Sequence, residues 1–251
     1  MKTVILCGGL GTRLGNLTKV RPKPMILINN DPIVWHIIKY YKKYGFSEFV
    51  LATGYKHKFI EDYFSKLRNK IKNNFKLIIL KRNEVYKPLE NEITIKLIFT
   101  GKNSFTGGRL LRLKSDLYSE NNFMLTYGDG LCNLNLKKLY NFHIKHKKIS
   151  TVTAVNPPAR FGALSLKKNV VKKFQEKVQT SEGWINGGFF VFNRKIFDFL
   201  KNDKTILEQD PMNKLVKKKE LIAFKYKGFW QCVDTPRDKE NLEEILKKRK
   251  K

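Results

Sequence analysis

The sequence predicts an α/β protein with a mostly parallel, mixed central sheet and helices on both faces. Short apolar runs alternate with longer amphipathic segments along the first 70 residues, which is the pattern of strands and covering helices in such sheets. Several of the apolar runs also end directly at glycine or aspartate. Polar and flexible residues of this kind are typical of the carboxyl edge of a parallel sheet, where ligands bind.

The first elements follow in order from the N-terminus. Residues 4–6 (Val-Ile-Leu) are apolar and β-branched, which predicts a buried strand that ends at the glycine loop 8–11. Residues 32–44 open with a proline and carry apolar side chains at helical spacing, which predicts a helix. A strand over 48–52 and a helix over 58–70 then complete a strand–helix–strand–helix succession.

The rest of the chain continues the same pattern. Strands at 77–80 and 93–98 are joined by a polar stretch, which predicts a β excursion around residues 76–100. A short helix opens at Gly107, and the last helix opens at Thr235. The remaining predicted strands are 123–127, 151–155, 187–192 and 230–234. No Pro/Gly/Ser-rich linker divides the chain, so we expect one Rossmann-like domain over residues 1–251.

Charge leaves two classes of function open. The 251 residues include 51 Lys and Arg against 22 Asp and Glu, a formal net charge of +29. This excess suits an anionic ligand, and it keeps a nucleic-acid or anionic-surface binder as an alternative. Only ten of the 51 are arginine, the residue that bidentate recognition favours, and the lysines are scattered along the chain. The composition therefore permits an anionic ligand without showing which one.

Three further features of the sequence bear on the location of the protein in the cell. The apolar stretches are all far shorter than the ~20 residues that cross a bilayer, and the N-terminus is too short for a secretory apolar region. Cys7, Cys132 and Cys232 are odd in number and widely spaced, so they predict neither a zinc site nor a disulfide framework. We therefore expect a cytoplasmic protein without membrane insertion.

The glycine loop is the first chemical feature. Gly8-Gly9-Leu10-Gly11-Thr12-Arg13 follows the first strand, and Lys23 lies ten residues further on. Glycines allow main-chain N–H groups to approach phosphate oxygens, and Arg13 and Lys23 add positive charge. The loop fits neither a Walker A motif nor Gly-x-Gly-x-x-Gly. A plain turn is the alternative, but the two cations favour a phosphate site.

Two aspartates form the second feature. Asp129 lies between Gly128 and Gly130 at the end of an apolar strand, and Asp234 ends another. Two carboxylates at strand ends are suited to sharing one Mg²⁺ that bridges phosphates. Asp129 could instead be a β-turn residue. Asp234 could instead be the N-cap of the last helix, with Pro236 in the first turn of that helix.

The motifs resemble those of the sugar-phosphate nucleotidyltransferases. They occur in the order of that family and extend over essentially the whole chain. The matching segments are 4–14, 23–25, 35–37, 106–110, 126–130, 160–164, 174–177, 185–191 and 228–231, with Asp234 and Thr235. Within the family, segments 126–130 and 185–190 are similar to the branch that uses CTP.

The resemblance implies the nucleotidyltransferase fold and an activity. CMP is transferred from CTP to a sugar 1-phosphate, α-D-glucose 1-phosphate, and CDP-glucose and pyrophosphate are formed with Mg²⁺ as the cofactor. The product is used to make sugars of surface polysaccharides. The resemblance also implies a homo-oligomer, with no nucleic acid as partner. Another nucleoside triphosphate or another phosphorylated acceptor is the alternative.

The resemblance also assigns roles to residues. Asp129 and Asp234 bind Mg²⁺, and with Arg13 and Lys23 they form the catalytic set. The nucleotide-binding residues are Leu6, Cys7, Gly8, Gly9, Leu10, Gly11, Thr12, Arg13, Lys23, Ser104, Arg109 and Gly128. The sugar-phosphate-binding residues are Glu176, Lys177, Asn186 and Gly187. The chain departs from the family at Val178, where a proline usually follows the Glu-Lys pair.

Three further features have structural interpretations beside functional ones. Trp35 and Trp230 suit the core and a pocket wall better than a stacking platform. Gly107 and Gly108 suit a helix start, and Arg109 adds an anion contact at that terminus. His143 and His146 lie three residues apart on a predicted helix with Lys-rich surroundings, which favour a solvated face over a metal site.

Overall fold

The main sheet is built from strands of both halves of the chain. The computed structural model describes residues 1–72, 74–156, 163–167, 170–175 and 183–248, with the main chain alone at Arg13, at Asn16 and over 163–167 and 170–175. In chain order the strands are β1 (Lys2–Cys7), β2 (Leu27–Ile28), β3 (Asp31–Pro32), β4 (Glu48–Thr53), β5 (Ile71–Lys72), β6 (Phe75–Leu80), β7 (Glu92–Phe99), β8 (Asn122–Tyr127), β9 (Gly130–Cys132), β10 (Ser150–Val155), β11 (Ala163–Lys167), β12 (Val170–Gln175), β13 (Ile185–Asn186), β14 (Phe190–Asn193), β15 (Leu221–Tyr226) and β16 (Trp230–Cys232).

Helices connect these strands. They are α1 (Asn16–Val20), α2 (Ile33–Lys43), α3 (His57–Ser65), α4 (Thr106–Leu111), α5 (Lys114–Leu117), α6 (Leu136–His146), α7 (Asp210–Lys217) and α8 (Pro236–Lys248). Three 3₁₀ turns accompany them, at Thr12–Leu14, Lys23–Met25 and Arg194–Phe199. None of the helices in the described ranges combines the length and the apolar character needed to cross a membrane.

The sheet is mixed and mostly parallel at its centre. Within the described ranges ten strands form it, in the order β10, β14, β8, β1, β4, β7, β6 and β5, with β13 and β15 also pairing with β10. The run from β8 through β1, β4 and β7 to β6 is parallel, and β14 is antiparallel to β8. Parallel strands need crossover connections, which the helices after β1 and β4 provide. The predicted excursion around residues 76–100 corresponds to β6 and β7, beside β4 in this sheet.

The buried side chains of the central strands alternate between the two faces of the sheet, so each face has its own part of the core. In β1, Ile5 and Cys7 belong to one buried cluster, whereas Val4 and Leu6 belong to another. Successive side chains of a strand point to opposite faces, so each cluster marks one face of the sheet. The first cluster includes residues of α2, α3, α6 and α8, and the second includes residues of α4, α5 and α7. The predicted α/β class with helices on both faces is confirmed.

One expectation about the helices is wrong. His143 of α6 does not lie on a solvated face, because its side chain is only 2% exposed. Its Nδ1 lies 2.9 Å from Thr151 Oγ1, and its Nε2 lies 3.2 Å from Asn122 Oδ1. The helix packs its histidine against β10 and the start of β8, where strand hydroxyl and amide groups hold the imidazole.

Candidate active site

A cleft of about 450 Å³ opens at the carboxyl edge of the parallel strands. This volume is typical of a small-molecule site. Most of the predicted nucleotide and metal residues line it. The lining residues are Leu6, Gly8, Gly9, Gly11, Thr12, Leu14, Lys23, Pro24, Ser104, Phe105, Thr106, Arg109, Tyr127, Gly128, Asp129, Ile206, Glu208 and Asp234.

The glycine loop forms one wall of this cleft. It follows β1 directly, and β1 pairs in parallel with β8, so that Leu6 lies beside Tyr127. Gly11 has φ +67°, a left-handed conformation that glycine adopts without strain. The chain then turns through Thr12–Leu14 and returns along α1 to the turn that carries Lys23. The loop thus brings Gly9, Thr12 and Lys23 to the same cleft.

The two aspartates meet because β9 and β16 pair. Cys232 lies opposite Gly130 in this antiparallel ladder, and the amide of Val233 donates to the carbonyl of Asp129 over 3.0 Å. Asp129 and Asp234 therefore leave the ladder at the same end. Their side chains are 27% and 18% exposed, respectively, at the base of the cleft.

Asp234 is not the N-cap of the last helix. The helix begins at Pro236, and the amide of Asp238 donates to Thr235 Oγ1 over 3.2 Å. Asp238 Oδ2 in turn accepts from the amides of Thr235 and Asp234, at 2.8 and 3.1 Å. This reciprocal arrangement is a capping box. The carboxylate of Asp234 is consequently left for the cleft, and the N-cap alternative for this residue is wrong.

Lys23 joins the two carboxylates. Its Nζ lies 2.5 Å from Asp129 Oδ2 and 2.8 Å from Asp234 Oδ1. Burial by itself lowers the pKa of Lys23, but the charge of Asp129 and hydrogen bonds to both aspartates outweigh burial and raise it. Lys23 is therefore a firmly held ammonium at the centre of the site.

The aspartate pair has the chemistry of a Mg²⁺ site. Both carboxylates reach one common atom, as two ligands of a shared cation must, and they offer the hard oxygen donors that Mg²⁺ takes. No group of three or more His, Cys, Asp and Glu side chains suited to a metal occurs in the described ranges. A site of two carboxylates completed by substrate phosphates and water is the arrangement typical of Mg²⁺.

Arg109 supports the floor of the cleft. Its side chain is only 4% exposed, and its guanidinium donates to the carbonyls of Gly8 at 2.8 Å and Gly101 at 2.7 Å. It also donates to Thr53 O at 3.2 Å and to Thr100 Oγ1 at 3.0 Å. One buried cation thereby ties together the ends of β1, β4 and β7, and it lines the cleft as well.

The start of α4 packs against segment 203–208. The amide of Phe105 donates to Asp203 O at 2.9 Å, and that of Gly108 donates to Thr205 O at 3.1 Å. A Cβ at Gly108 would lie 2.2 Å from Asp203 O, so this approach requires glycine. The chain thus covers part of its own helix terminus, and this contact positions segment 203–208 beside the cleft. The anion contact of Arg109, which lines the cleft, stays a prediction.

Two of the predicted acceptor residues, Asn186 and Gly187, lie next to the cleft. Asn186 Nδ2 donates to the hydroxyl of Tyr127 at 3.2 Å, and Trp230 Nε1 donates to Gly187 O at 2.7 Å. Trp230 is thus fastened to the main chain as part of a wall. Asn186 itself lines a second, more apolar cavity of about 220 Å³, which shares Glu208 with the cleft.

Tyr127 and Glu208 are functional candidates that the sequence analysis did not select. Tyr127 donates to Glu208 Oε1 at 2.5 Å, and Thr106 donates to Glu208 Oε2 at 2.6 Å. Burial and the adjacent Glu208 raise the pKa of Tyr127, so its hydroxyl stays a proton donor. Glu208 follows two apolar residues in a segment without a motif. Only the contact between segment 203–208 and α4 places it in the cleft.

The remaining predicted site residues fall in two groups. Cys7 is buried in the core, where burial raises the pKa of its thiol, and the Leu10 side chain is 52% exposed. Neither is among the cleft-lining residues. The side chain of Arg13, and Glu176 and Lys177 altogether, lie outside the described residues.

Comparisons with known proteins show the family of the chain. A family model described as nucleotidyl transferase matches residues 2–238. Glucose-1-phosphate cytidylyltransferase of Salmonella typhimurium is 43% identical over 250 residues, which cover 100% of this chain and 97% of that protein. Probable glucose-1-phosphate cytidylyltransferase of Bacillus subtilis is 42% identical over 250 residues, covering 98% of this chain and 95% of that protein.

A solved structure shares the fold. The crystal structure of HddC from Yersinia pseudotuberculosis superposes with a TM-score of 0.71 at 24% identity, covering 98% of this chain and 99% of that one. The family match covers nearly the whole chain and includes the glycine loop and both aspartates. The predicted resemblance is confirmed, and the chain belongs to the nucleotidyl transferase family.

Proposed function

We propose that the protein transfers CMP from CTP to α-D-glucose 1-phosphate and so forms CDP-glucose and pyrophosphate. One observation carries the transfer chemistry: Asp129, Asp234 and Lys23 converge in a cleft that the glycine loop lines. The choice of CTP and glucose 1-phosphate is supported by the full-length similarity to two proteins named for that reaction.

The bond changes are those of an in-line substitution at phosphorus. A phosphate oxygen of the sugar 1-phosphate attacks the α-phosphorus of CTP. The bond from the α-phosphorus to the bridging oxygen breaks, and pyrophosphate leaves with that electron pair. Because a phosphate monoester is already ionised near neutral pH, the attacking oxygen needs no protein base. Catalysis then depends on positioning and on stabilising negative charge.

Different residues of the cleft bind the phosphates and stabilise their charge. The main chain of the glycine loop and the cations Arg13 and Lys23 bind the triphosphate, and Arg13 stabilises the pyrophosphate as it leaves. Asp129 and Asp234 would hold Mg²⁺, which would supply positive charge that neutralises part of the phosphate charge. Arg109 keeps the glycine loop in place from below through its bond to Gly8.

The acceptor side follows the sequence assignment. Glu176 and Lys177 lie by the sugar phosphate, and Asn186 and Gly187 bind the sugar hydroxyls. Two contacts support a rigid surface there: the tyrosine hydroxyl accepts from Asn186 Nδ2, and the indole of Trp230 donates to Gly187 O. A polar group held by its neighbours discriminates among hydroxyls better than a mobile one.

A pyrophosphate-release assay tests the proposal. CTP, UTP, dTTP, GTP and ATP are each crossed with the 1-phosphates of glucose, galactose, mannose and N-acetylglucosamine. We expect the highest kcat/KM for CTP with glucose 1-phosphate. A higher kcat/KM for another nucleotide would replace CTP in the proposal. A higher kcat/KM for another sugar 1-phosphate would replace glucose 1-phosphate. Absence of pyrophosphate release from every pair would overturn the proposed reaction.

A further inference from the structure

Lys23 occupies the point at which the two metal-binding carboxylates converge. Its ammonium lies 2.5 Å from Asp129 Oδ2 and 2.8 Å from Asp234 Oδ1, and only 14% of its side chain is exposed. A Mg²⁺ ion binds carboxylate oxygens at about 2.0–2.1 Å. A divalent ion between these oxygens would therefore occupy nearly the same space as the ammonium, and the two cations exclude each other.

We propose that Lys23 is an internal counter-ion that keeps the aspartate pair closed to divalent cations until the phosphates of the nucleotide draw its ammonium away. This inference rests on the proposed function, which assigns the aspartates to Mg²⁺ and Lys23 to the phosphates. It adds an order to those roles: the metal site forms only as the nucleotide binds.

The position of Lys23 in the fold makes such an exchange feasible. Its main chain is fixed in the 3₁₀ turn Lys23–Met25, where the amide of Ile26 donates to Lys23 O at 3.1 Å. Its side chain is flexible by nature, with four carbons between that turn and the charge. Gly9, Gly11 and Thr12 line the same cleft. The ammonium can thus move from the aspartates toward the phosphate-binding loop without a change of fold.

Charge provides the driving force for the exchange. In the free protein Lys23 neutralises one of the two carboxylate charges, and so lowers the attraction of the pair for a second cation. A triphosphate brings several negative charges to the cleft, and it offers the ammonium new acceptors while it supplies oxygen ligands for the metal. By linkage, metal and nucleotide then raise each other's affinity by one common factor.

The test measures Mn²⁺ binding to the full-length, nucleotide-free protein. Mn²⁺ takes the same oxygen ligands as Mg²⁺, and the free ion is counted by electron paramagnetic resonance. Lys23→Met removes the ammonium and keeps the bulk of the side chain. We expect it to bind Mn²⁺ at least about tenfold more tightly than the wild type, a tenfold change that corresponds to about 1.4 kcal/mol.

Two further variants make the result specific. Lys39→Met is the matched control, because it removes a lysine from an ion pair with Asp31 outside the cleft, and it should bind Mn²⁺ as the wild type does. Adding Asp129→Asn to Lys23→Met should abolish the gained binding. The unfolding temperature of each variant with and without Mn²⁺ gives a second readout, and a rise with Mn²⁺ that is confined to Lys23→Met supports the inference.

The outcomes separate this inference from the proposed function. Equal Mn²⁺ affinity of the wild type and Lys23→Met in the absence of nucleotide would overturn the counter-ion role and leave the transfer reaction in place. A gain that survives Asp129→Asn would also overturn it, because the ion would then bind elsewhere. Wild-type turnover in Asp129→Asn alone would instead remove the aspartate pair from the proposed mechanism.

Discussion

The main-chain carbonyl of Asp129 accepts a 3.0 Å hydrogen bond from the amide of Val233. This bond extends the ladder of β9 and β16 by one step beyond Cys232 and Gly130. The two acidic side chains of the cleft are therefore placed by the backbone, and Lys23 then needs only one conformation to reach both. Removing either carboxylate should affect the chemistry far more than the fold.

The first prediction contrasts Asp234 with Asp238. Asp234→Asn should lower turnover by about a hundredfold or more, as removal of a main electrostatic group does, with little loss of stability because Asp238 and Thr235 carry the helix cap. Asp238→Ala should cost ~0.5–2 kcal/mol of unfolding free energy and lower turnover by less than about tenfold. Pyrophosphate release and urea unfolding measure both. Near-wild-type turnover of Asp234→Asn at saturating Mg²⁺ would contradict the assignment.

The second prediction concerns Arg109. Arg109→Met removes one donor from each of the carbonyls of Gly8, Thr53 and Gly101. Gly8 O still accepts from the amide of Tyr55, and Thr53 O still accepts from the amide of Thr100, so the cost is near the ~1–3 kcal/mol of a single unsatisfied group. We therefore expect a loss of roughly 1–3 kcal/mol of unfolding free energy and a higher KM for the nucleotide, since the glycine loop loses the bond from Arg109 to Gly8 O.

Arg112→Met is the matched control for Arg109. Arg112 forms an exposed ion pair with Asp203, in which the side chains are 44% and 42% exposed, and such pairs contribute ~0–1 kcal/mol. Urea unfolding measures the loss of unfolding free energy in both variants. A loss of stability as small for Arg109→Met as for Arg112→Met would show that the buried hydrogen bonds do not hold the strand ends together.

The residues that line the cleft were more predictable from the sequence than the contacts they make. Asp129 and Asp234 each end an apolar run, so the edge of the sheet was predictable from strand pattern alone. That Lys23 reaches both could not be predicted, because no local pattern reports the distance between residues so far apart in the chain. Glu208 was missed for the same reason. It reaches the cleft only through the packing of segment 203–208 on the start of α4.

Two local signals had more than one interpretation. Asp234 before Pro236 suggested a cap, but the spacing of Thr235 and Asp238 is itself a capping-box pattern and identifies the true cap. Arg109 after two glycines suggested a helix terminus open to an anion. The structure uses the glycines for close packing and the arginine for main-chain carbonyls, an outcome that depends on tertiary contacts.

The third prediction is a pH dependence of stability. Burial, with a smaller effect of the charge on His146, lowers the pKa of His143 to about 4. An unfolded histidine has a pKa of about 6.5, so the unfolded chain binds the proton first as the pH falls. The stability linked to His143 is therefore present above about pH 6.5 and is lost between there and pH 4.

A substitution isolates that contribution. The wild type should lose up to about 2 kcal/mol more than His143→Gln between pH 7 and pH 5, because glutamine keeps a polar side chain but does not titrate. Urea unfolding at several pH values measures the difference. Parallel pH profiles for the two proteins would show that His143 accepts its proton in the fold as readily as in the unfolded chain.

The fourth prediction concerns Lys177, which lies outside the described residues. If Lys177 pairs with the phosphate of the acceptor, Lys177→Met should raise the KM for glucose 1-phosphate by about ten- to a hundredfold and leave the KM for CTP nearly unchanged. Lys217→Met, at an exposed position at the end of α7, is the control for loss of one positive charge. An unchanged acceptor KM would make Lys177 one more solvated lysine.

The last prediction concerns the hydroxyl of Tyr127, which links the cleft to the acceptor side. It donates to Glu208 at 2.5 Å and accepts from Asn186 at 3.2 Å. Tyr127→Phe removes both bonds at once and leaves the ring in place. Glu208 still accepts the hydrogen bond from Thr106. Asn186 loses the bond from its Nδ2 to the tyrosine hydroxyl, while its Oδ1 still accepts from the amide of Gly188 at 2.9 Å.

The expected effect of Tyr127→Phe is therefore selective. The KM for glucose 1-phosphate should rise by about tenfold, the scale of one hydrogen bond to a charged or oriented group, while the KM for CTP stays within about twofold. Tyr118→Phe, at a residue that is 67% exposed, should change neither constant. If the KM for CTP rose instead, the Tyr127–Glu208 pair would belong to nucleotide recognition. Glu208 would then face the base or ribose, and Asn186 would need another partner to select the acceptor.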